Sequence, residues 1–243
     1  MSKIIALAHA HKDVLVQERG ARVDKVTIVE NGIDVDLFVK KNVPNWKREQ
    51  LELPNGVPLV GIVARLVPAK RLDIYLQAAK HLTKLFPCVN FIIVGDGEER
   101  QRLECLAEQL GIDKQVHFLG KRNDIAEILS IFDIAVMASD PIFETFPLVI
   151  LEYMAAAKPV VASRVGSVSE IVVDGKTGIL VSPGDADGLA TAIAELLQNP
   201  DRALLMGLAG RNRVIANFST RTMVLKTEQI FTYLLQDNIE EAQ

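Results

Sequence analysis

From residue 58 onward, short runs of apolar and often β-branched residues alternate with longer segments of helical periodicity. This alternation is typical of βα units, in which parallel strands are covered by helices on both faces. Six runs predict strands, at residues 59–64, 90–94, 116–119, 134–138, 160–162 and 179–181. The predicted fold is therefore α/β with a doubly wound parallel sheet. Its strand-to-helix loops meet at the carboxyl edge, where such folds bind ligands.

The chain before residue 58 follows a different pattern. Residues 3–7 and 25–29 predict strands, residues 12–19 predict a helix, and a loop rich in Pro and Asn follows between residues 44 and 58. At the other end, residues 220–235 predict a long amphipathic helix, with Val224, Ile230, Phe231 and Leu234 as its apolar positions. We therefore divide the chain into a remnant of another domain with a hinge (1–34), the main α/β domain (35–218), and a closing helix with a tail (219–243).

Charge and cysteine content exclude some classes of protein. Lys and Arg number 27 against 31 Asp and Glu, and no basic run is present that would neutralise a series of nucleic-acid phosphates. We therefore expect no nucleic-acid partner. Cys88 and Cys105 do not form a metal-binding or disulfide pattern, which fits a reducing cytoplasm. The apolar stretch at residues 4–8 is too short for a signal peptide core or a transmembrane segment, so a cytoplasmic location is expected.

Two cations flank the loop after the first strand of the main sheet. Arg65 and Lys70 then lie at the ligand-binding edge, and a guanidinium fork with a mobile ammonium suits a diphosphate. Solvated surface cations are the alternative. After the second strand, Gly95-Asp96-Gly97 allows a phosphate cradle. Because the Asp96 carboxylate would repel an anion, a tight turn is the preferred interpretation.

A loop with two glutamates follows the fourth strand of the sheet. Pro147 suits the first position of a helix, so Glu144 lies in the loop and Glu152 faces back toward it. The free N–H groups of the first helical turn favour an anion or a dense set of hydroxyls. Each carboxylate can accept hydrogen bonds from adjacent hydroxyls, so one can bind a ribose and the other a hexose. A surface pair of glutamates is the alternative.

Two Asp-x-Asp sequences and four histidines are further candidates for functional sites. Asp-x-Asp at residues 34–36 lies in the predicted hinge, and Asp185 of the second occurrence is placed to cap a helix, so neither is interpreted as a metal site. With two cations available for a diphosphate, no metal is expected. The histidines are interpreted as surface or strand-edge residues, with His11 the nearest to the predicted cleft; they are His9, His11, His81 and His117.

Several stretches, in order along the chain, resemble those of the family 4 glycosyltransferases, which have the GT-B fold. The matching stretches are residues 31–34, 65–70, 94–97, 116–120, 144–152, 158–163 and 174–178. The resemblance covers nearly the whole chain and implies the Rossmann-like carboxy-terminal domain of GT-B, which binds the nucleotide-sugar donor. Thr145 and Ala157 depart from the family, which often has Gly at both positions, and Thr145 would narrow the sugar pocket.

The resemblance also implies a role for individual residues. Arg65 and Lys70 would hold the donor diphosphate, Glu144 would contact the transferred sugar, and Glu152 would bind the ribose hydroxyls. Backbone amides around Phe146 and Leu148 would assist, and the nucleobase would stack against Leu119 and Gly120, with Lys121 or Arg122 nearby. The expected catalytic set is thus Glu144, Arg65 and Lys70. The expected donor-binding set is Arg65, Lys70, Leu119, Gly120, Phe146, Leu148 and Glu152.

The function implied is a retaining, metal-independent hexosyl transfer from a nucleotide-sugar, with UDP-sugar favoured and no cofactor. The acceptor would be a sugar, a polysaccharide or a lipid-linked sugar, and residues 1–34 resemble the end of the amino-terminal acceptor domain. The rest of that domain would come from a missing segment or a partner chain, and peripheral membrane binding of the complete enzyme stays open. We expect exposed apolar surface near residues 4–8 and the closing helix. A non-catalytic nucleotide-sugar-binding module and, less well supported, a GT-B epimerase remain as alternatives.

Overall fold

The computed structural model describes residues 3–38, 46–140 and 144–240, and these form a layered α/β unit with a small appended strand pair. The predicted linker positions 44 and 45 lie outside the described residues. The strands are β1 (Ile4–Ala6), β2 (Val26–Ile28), β3 (Leu59–Val63), β4 (Asn90–Val94), β5 (Val116–Phe118), β6 (Ile134–Met137), β7 (Val160–Ser163) and β8 (Gly178–Val181). The helices are α1 (His9–Gln17), α2 (Trp46–Gln50), α3 (Leu72–Leu85), α4 (Arg100–Leu110), α5 (Ile125–Ile131), α6 (Leu148–Ala155), α7 (Val168–Ile171), α8 (Ala186–Gln198), α9 (Pro200–Asn217) and α10 (Thr220–Glu240).

The main sheet has six parallel strands in the order β5-β4-β3-β6-β7-β8. The predicted fold class and all six predicted strands are confirmed. The chain runs outward from β3 in one direction and from β6 in the other, so the order reverses between these two neighbours. In open α/β sheets the crevice at this reversal, beyond the carboxyl ends of the strands, is where ligands bind. The loops after β3 and β6 therefore flank the crevice where this fold binds ligands.

Alternate side chains of the strands enter two separate cores. Phe91 and Ile93 point into the core beneath α3, α4 and α8, whereas Ile92 and Val94 point into the core beneath α5, α6 and α9. All four side chains are fully buried. Because both faces of each strand are covered, the strands read as continuous apolar runs in the sequence. This explains why their positions were predictable without any alternating pattern.

The amino-terminal unit, residues 3–34, stands apart from the main sheet. Its two predicted strands, β1 and β2, are present and form a separate parallel pair, with α1 between them in the chain. The end of this unit is joined to the chain between α9 and α10: the Ile33 N–H donates to the Phe218 carbonyl at 3.0 Å, and the Thr220 N–H donates to the Ile33 carbonyl at 2.9 Å. The Lys226 ammonium of α10 also binds the Glu30 carboxylate at 2.6 Å. The carboxy-terminal helix thus holds the amino-terminal unit.

The apolar residues of α10 are less buried than the amphipathic pattern suggests. The helix itself is confirmed, but Val224 and Phe231 are exposed, the latter at 60%. In the amino-terminal unit, Ile4 and Ile5 are also exposed, whereas Ala6 and Ala8 are fully buried. Near residues 4–8, Ile4 and Ile5 therefore form part of the expected exposed apolar surface, whereas Ala6 and Ala8 do not. Within the described ranges, no helix has both the length and the apolar character needed to cross a membrane.

Candidate functional site

The loop after β3 places Arg65 and Lys70 at the crevice. Arg65 is exposed and makes no side-chain hydrogen bond or ion pair with the residues that the structure describes. Lys70 ends a short 3-10 turn, Pro68–Lys70. Between them Leu66 is fully buried, and its backbone exchanges two hydrogen bonds of 2.9 Å with Asp96 and Glu99. The loop is therefore fixed to its neighbour while Arg65 remains available to a ligand.

The glycines of the Gly95-Asp96-Gly97 loop have a packing role. A Cβ atom on Gly95 would lie 1.9 Å from the carbonyl oxygen of Ala64, and one on Gly97 would lie 2.4 Å from that of Leu66. The Asp96 carboxylate accepts the Gly97 N–H at 2.8 Å. These contacts support the tight-turn interpretation, because the glycines let this loop press against the backbone that presents Arg65. The helix that follows, α4, begins at Arg100, so Glu98 and Glu99 lie in the turn before it.

The loop after β6 brings Glu144 into direct contact with Lys70. The Lys70 ammonium donates a hydrogen bond to Oε1 of Glu144, in an ion pair whose side chains are 21% and 6% exposed. The backbones of the two loops also meet, since the Asp140 N–H donates to the Ala69 carbonyl at 2.8 Å. The structure therefore joins two of the three predicted catalytic residues across the reversal between β3 and β6.

A third loop supports Glu144 from behind. Gly166 follows β7 and has a φ of +48°, and a Cβ atom there would lie 1.7 Å from the carbonyl oxygen of Glu144. A residue with a side chain would meet backbone, not a flexible group, and would displace it. The backbone position of Glu144 therefore depends on glycine at residue 166. Sequence reasoning missed this residue, although a glycine three residues after a buried strand was a usable signal.

Helix α6 begins at the crevice, as predicted. Pro147 precedes the helix, and the N–H groups of Leu148 and Val149 have no acceptor among the described residues. Such free N–H groups at a helix start favour an anion. The Leu148 side chain is 44% exposed, whereas Phe146 is buried edge-on against Phe218 at a centroid distance of 5.9 Å. Phe146 can therefore offer only its backbone to a ligand.

Glu152 lies on α6 and is partly buried, and its side chain has no hydrogen-bond partner among the described residues. Burial raises the pKa of its carboxyl above the ordinary value. The next residue, Tyr153, accepts the Val63 N–H at 2.7 Å and so fixes this turn of α6 to the end of β3. A half-buried carboxylate with free acceptor positions is well suited to bind hydroxyl groups. The binding of ribose hydroxyls by Glu152 stays a prediction.

The edge near β5 places Leu119 and Gly120 beside the second loop. The Gly95 N–H donates to the Gly120 carbonyl at 2.9 Å, and Gly120 has a φ of +66°. Of the two cations expected nearby, Arg122 forms a two-armed ion pair with Asp124, with contacts of 2.8 and 2.7 Å. Lys121 is exposed. Leu119 and Gly120 thus lie at the carboxyl edge as predicted, and Arg122 is already engaged by a carboxylate.

The remaining polar candidates have local structural roles. The Asp185 carboxylate accepts the Gly188 N–H at 2.8 Å and caps α8, as predicted. Asp34 accepts the Asp36 N–H at 3.0 Å. Within the described part of the chain, no three His, Cys, Asp or Glu side chains are arranged to hold a metal ion.

Three of the four histidines have polar side-chain contacts in the structure. Nδ1 of His11 accepts the Leu7 N–H at 3.2 Å, His81 contacts Asp187 at 2.7 Å, and His117 contacts Asn90 at 2.8 Å. Burial lowers the pKa of His117 below its ordinary value. These contacts agree with the structural interpretation of the histidines, including His11.

A contact between the two units was not predicted. The Glu170 carboxylate of α7 accepts the His9 and Ala10 N–H groups at 2.8 and 2.9 Å. These groups open α1, whose preceding residue, Ala8, has no side-chain acceptor to cap it. Arg213 donates to the carbonyl oxygens of Glu170 and Ile171 at 2.7 Å each, which fixes α7 in turn. Glu170 therefore fastens the amino-terminal unit beside the loop that supports Glu144.

Comparisons with known proteins give a consistent match. Residues 45–213 match the family model described as glycosyl transferases group 1. Over 214 residues the chain is 30% identical to the N-acetyl-alpha-D-glucosaminyl L-malate synthase of Bacillus anthracis, covering 88% of this chain and 55% of that protein. Over 199 residues it is 32% identical to a GDP-mannose-dependent phosphatidylinositol monomannoside mannosyltransferase of Mycolicibacterium smegmatis, covering 79% of this chain and 52% of that protein.

Among solved structures, Anabaena HepE in complex with UDP-glucose superposes with a TM-score of 0.88 at 28% identity. The superposition covers 96% of this chain and 64% of HepE. The chain thus spans about half the length of the curated relatives it matches.

Proposed function

Because this chain belongs to the group 1 glycosyl transferases, we propose that it is the donor-binding half of a retaining glycosyltransferase that uses a nucleoside diphosphate sugar. The observation on which this rests is the joining of Lys70 and Glu144 across the sheet reversal, with Arg65 and the start of α6 beside them. These groups provide positive charge for a diphosphate and a carboxylate for a sugar. They lie in the crevice where the fold binds ligands.

In this proposal the diphosphate is held without a metal ion. Arg65 supplies a rigid guanidinium, Lys70 an ammonium, and Leu148 and Val149 supply N–H groups at the positive end of α6. These groups stabilise the negative charge that develops on the diphosphate as the glycosidic bond to the donor breaks. Because two cations already neutralise the diphosphate, a divalent ion is not required. The diphosphate oxygen held here takes the acceptor's proton during attack on the same face of the sugar, so configuration is retained.

The two glutamates divide the remaining contacts. Glu144 accepts hydrogen bonds from the transferred sugar, and Glu152 accepts them from the ribose, which would satisfy its free acceptor positions. The base lies against Leu119 and Gly120. We favour a UDP-sugar as the donor. The structure of HepE in complex with UDP-glucose supports this choice. The mannosyltransferase relative is described as GDP-mannose-dependent, so GDP-sugars are the second donor class to test.

The acceptor side is proposed to lie on the amino-terminal unit and on protein beyond it. Residues 1–34 would be the end of an acceptor domain and its hinge, residues 35–218 the donor domain, and residues 219–243 the closing helix and tail. The curated relatives are about twice as long as the matched part of this chain, which supports this division. The acceptor would be a sugar, a polysaccharide or a lipid-linked sugar. Without that domain, a nucleophilic hydroxyl cannot be held against the anomeric carbon in a site that excludes water.

Calorimetric titration in EDTA tests the donor proposal. UDP, GDP, ADP and their common sugar conjugates are titrated into the chain, and we expect one nucleoside diphosphate to bind without added metal. If none binds in EDTA and Mg²⁺ or Mn²⁺ restores binding, the metal-free proposal is wrong. A transfer assay with a panel of acceptors, with and without an amino-terminal acceptor domain in trans, then distinguishes an enzyme half from a non-catalytic binding module. Robust transfer by the chain alone would contradict the division into halves.

A further inference from the structure

The Lys70 ammonium and the Glu144 carboxylate contact each other, and both are also proposed to contact the donor. In the structure the Lys70 ammonium is paired with the Glu144 carboxylate, and the carboxylate is almost fully buried. A diphosphate arriving at Lys70 brings a second anion beside this carboxylate. Two anions a few ångströms apart in a poorly solvated site repel each other appreciably. The diphosphate and Glu144 therefore compete for Lys70.

The donor sugar resolves this competition. When a nucleotide-sugar binds, sugar hydroxyls donate hydrogen bonds to Glu144 and compensate for the weakened contact with Lys70. After transfer the sugar has left the donor and only the nucleoside diphosphate remains. Glu144 is then a buried carboxylate without hydroxyl donors, a costly state that it can leave by pairing with Lys70 again.

Building on the proposed function, we infer that Glu144 has a second role: it competes with the product nucleoside diphosphate for Lys70 and thereby promotes product release. The same carboxylate favours binding of the intact donor and disfavours binding of the spent one. Product release limits turnover in many enzymes, and this competition acts on that step. Arg65 has no carboxylate partner among the described residues and holds the diphosphate in both states.

Glu152 is a second carboxylate in the same crevice. Because it is proposed to bind the ribose, its Gln variant also loses that contact, so the decisive control for the competition is the Lys70→Ala background. Glu152 carries the same charge as Glu144 and lies on α6, which begins four residues after Glu144, but no cation pairs with it among the described side chains. Glu144→Gln and Glu152→Gln each remove one negative charge at nearly constant volume. An effect of overall charge on diphosphate binding appears in both variants. An effect of competition for Lys70 appears only in Glu144→Gln.

The experiment measures affinity and dissociation rate for UDP and UDP-glucose, or for GDP and GDP-mannose if only the guanine nucleotide binds the wild-type chain. We expect Glu144→Gln to bind the free diphosphate about tenfold more tightly, mainly through slower dissociation, since one competing charged hydrogen bond is removed. The same variant should lose affinity for the sugar conjugate relative to the free diphosphate. Glu152→Gln should not tighten the free diphosphate. In a Lys70→Ala background, Glu144→Gln should have no tightening effect.

Unchanged or weaker binding of the free diphosphate by Glu144→Gln, in a wild-type chain that binds it, overturns the competition and leaves the proposed function intact. Equal tightening by both Gln variants also overturns it, because the effect is then one of general charge. If the wild-type chain binds no nucleoside diphosphate, the proposed function fails and this inference fails with it. Circular dichroism checks that each variant is folded, and Glu144→Ala replaces the Gln variant if the latter does not fold.

Discussion

Gly166 and Glu144 approach so closely that a Cβ atom on Gly166 would lie 1.7 Å from the carbonyl oxygen of Glu144. Gly166→Ala should therefore displace the Glu144 backbone and weaken binding of a nucleotide-sugar more than binding of the free nucleotide. We also expect a loss of unfolding free energy of about 2 kcal/mol or more, from the positive φ together with the clash. Calorimetry and chemical denaturation measure the two effects.

Gly184→Ala is the matched control for this change. Gly184 also has a positive φ, +76°, but no atom lies within 4 Å of its added Cβ. It should share the conformational cost, about 1 kcal/mol, and leave nucleotide-sugar binding unchanged. Equal effects of the two variants on binding would show that Gly166 does not position Glu144.

Arg65→Ala should weaken binding of a nucleoside diphosphate by about 1.5–3 kcal/mol, the range for hydrogen bonds to charged groups. Because Arg65 is exposed and has no side-chain partner among the described residues, the unfolding free energy should change by less than about 0.5 kcal/mol. Arg221→Ala on α10, also at an exposed arginine, is the control and should leave both quantities unchanged. A lower melting temperature with unaltered affinity would assign Arg65 a structural role.

Glu152→Gln should raise the unfolding free energy of the protein and weaken its binding of nucleotide. Burial raises the pKa of the Glu152 carboxyl in the folded state, so folding loses stability as the pH rises past the ordinary glutamate range. Gln carries no charge to bury, and the variant should gain roughly 0.5–2 kcal/mol of unfolding free energy at neutral pH, as removal of strained functional groups commonly gives. Below the glutamate range the gain should vanish. Denaturation between pH 4 and pH 8 measures this dependence.

The binding of nucleotide gives the second half of that test. Glu152→Gln should weaken the free diphosphate and its sugar conjugate equally, because the ribose is common to both. If the variant is stabilised and still binds nucleotide with full affinity, Glu152 is not part of the binding site.

Glu170→Ala should loosen the amino-terminal unit without unfolding the main sheet. The substitution removes the two acceptors of the His9 and Ala10 N–H groups, which no side chain at Ala8 can replace. We expect α1 to lose about 1 kcal/mol of protection, the usual value of a helix cap, in amide hydrogen exchange. Glu228→Ala, at an exposed position of α10, is the control. Unaltered exchange of α1 would show that Glu170 does not fasten it.

The sequence predicts most of the fold because the strands are buried on both faces. Runs such as residues 90–94 have the length and the apolar composition of strands covered on both faces, and their order places Arg65, Lys70 and Glu144 at one edge of the sheet. The contact between Lys70 and Glu144 was beyond such reasoning, because it depends on two loop conformations and two side-chain rotamers. The periodicity of a sequence likewise predicts that a helix has an apolar face, but not whether that face is buried. Val224 and Phe231 of α10 belong to such a face and are exposed.

The contact between Glu170 and α1 also bears on the order in which the chain folds. Glu170 follows His9 by 161 positions, so a ribosome must synthesise all the intervening chain before the cap can form. At ordinary rates of synthesis this takes on the order of ten seconds. The contacts of Ile33 with residues 218–220 require still more of the chain. During translation β1, α1 and β2 therefore emerge well before the residues that hold them in place, and in that interval Ile4 and Ile5 are accessible to chaperones.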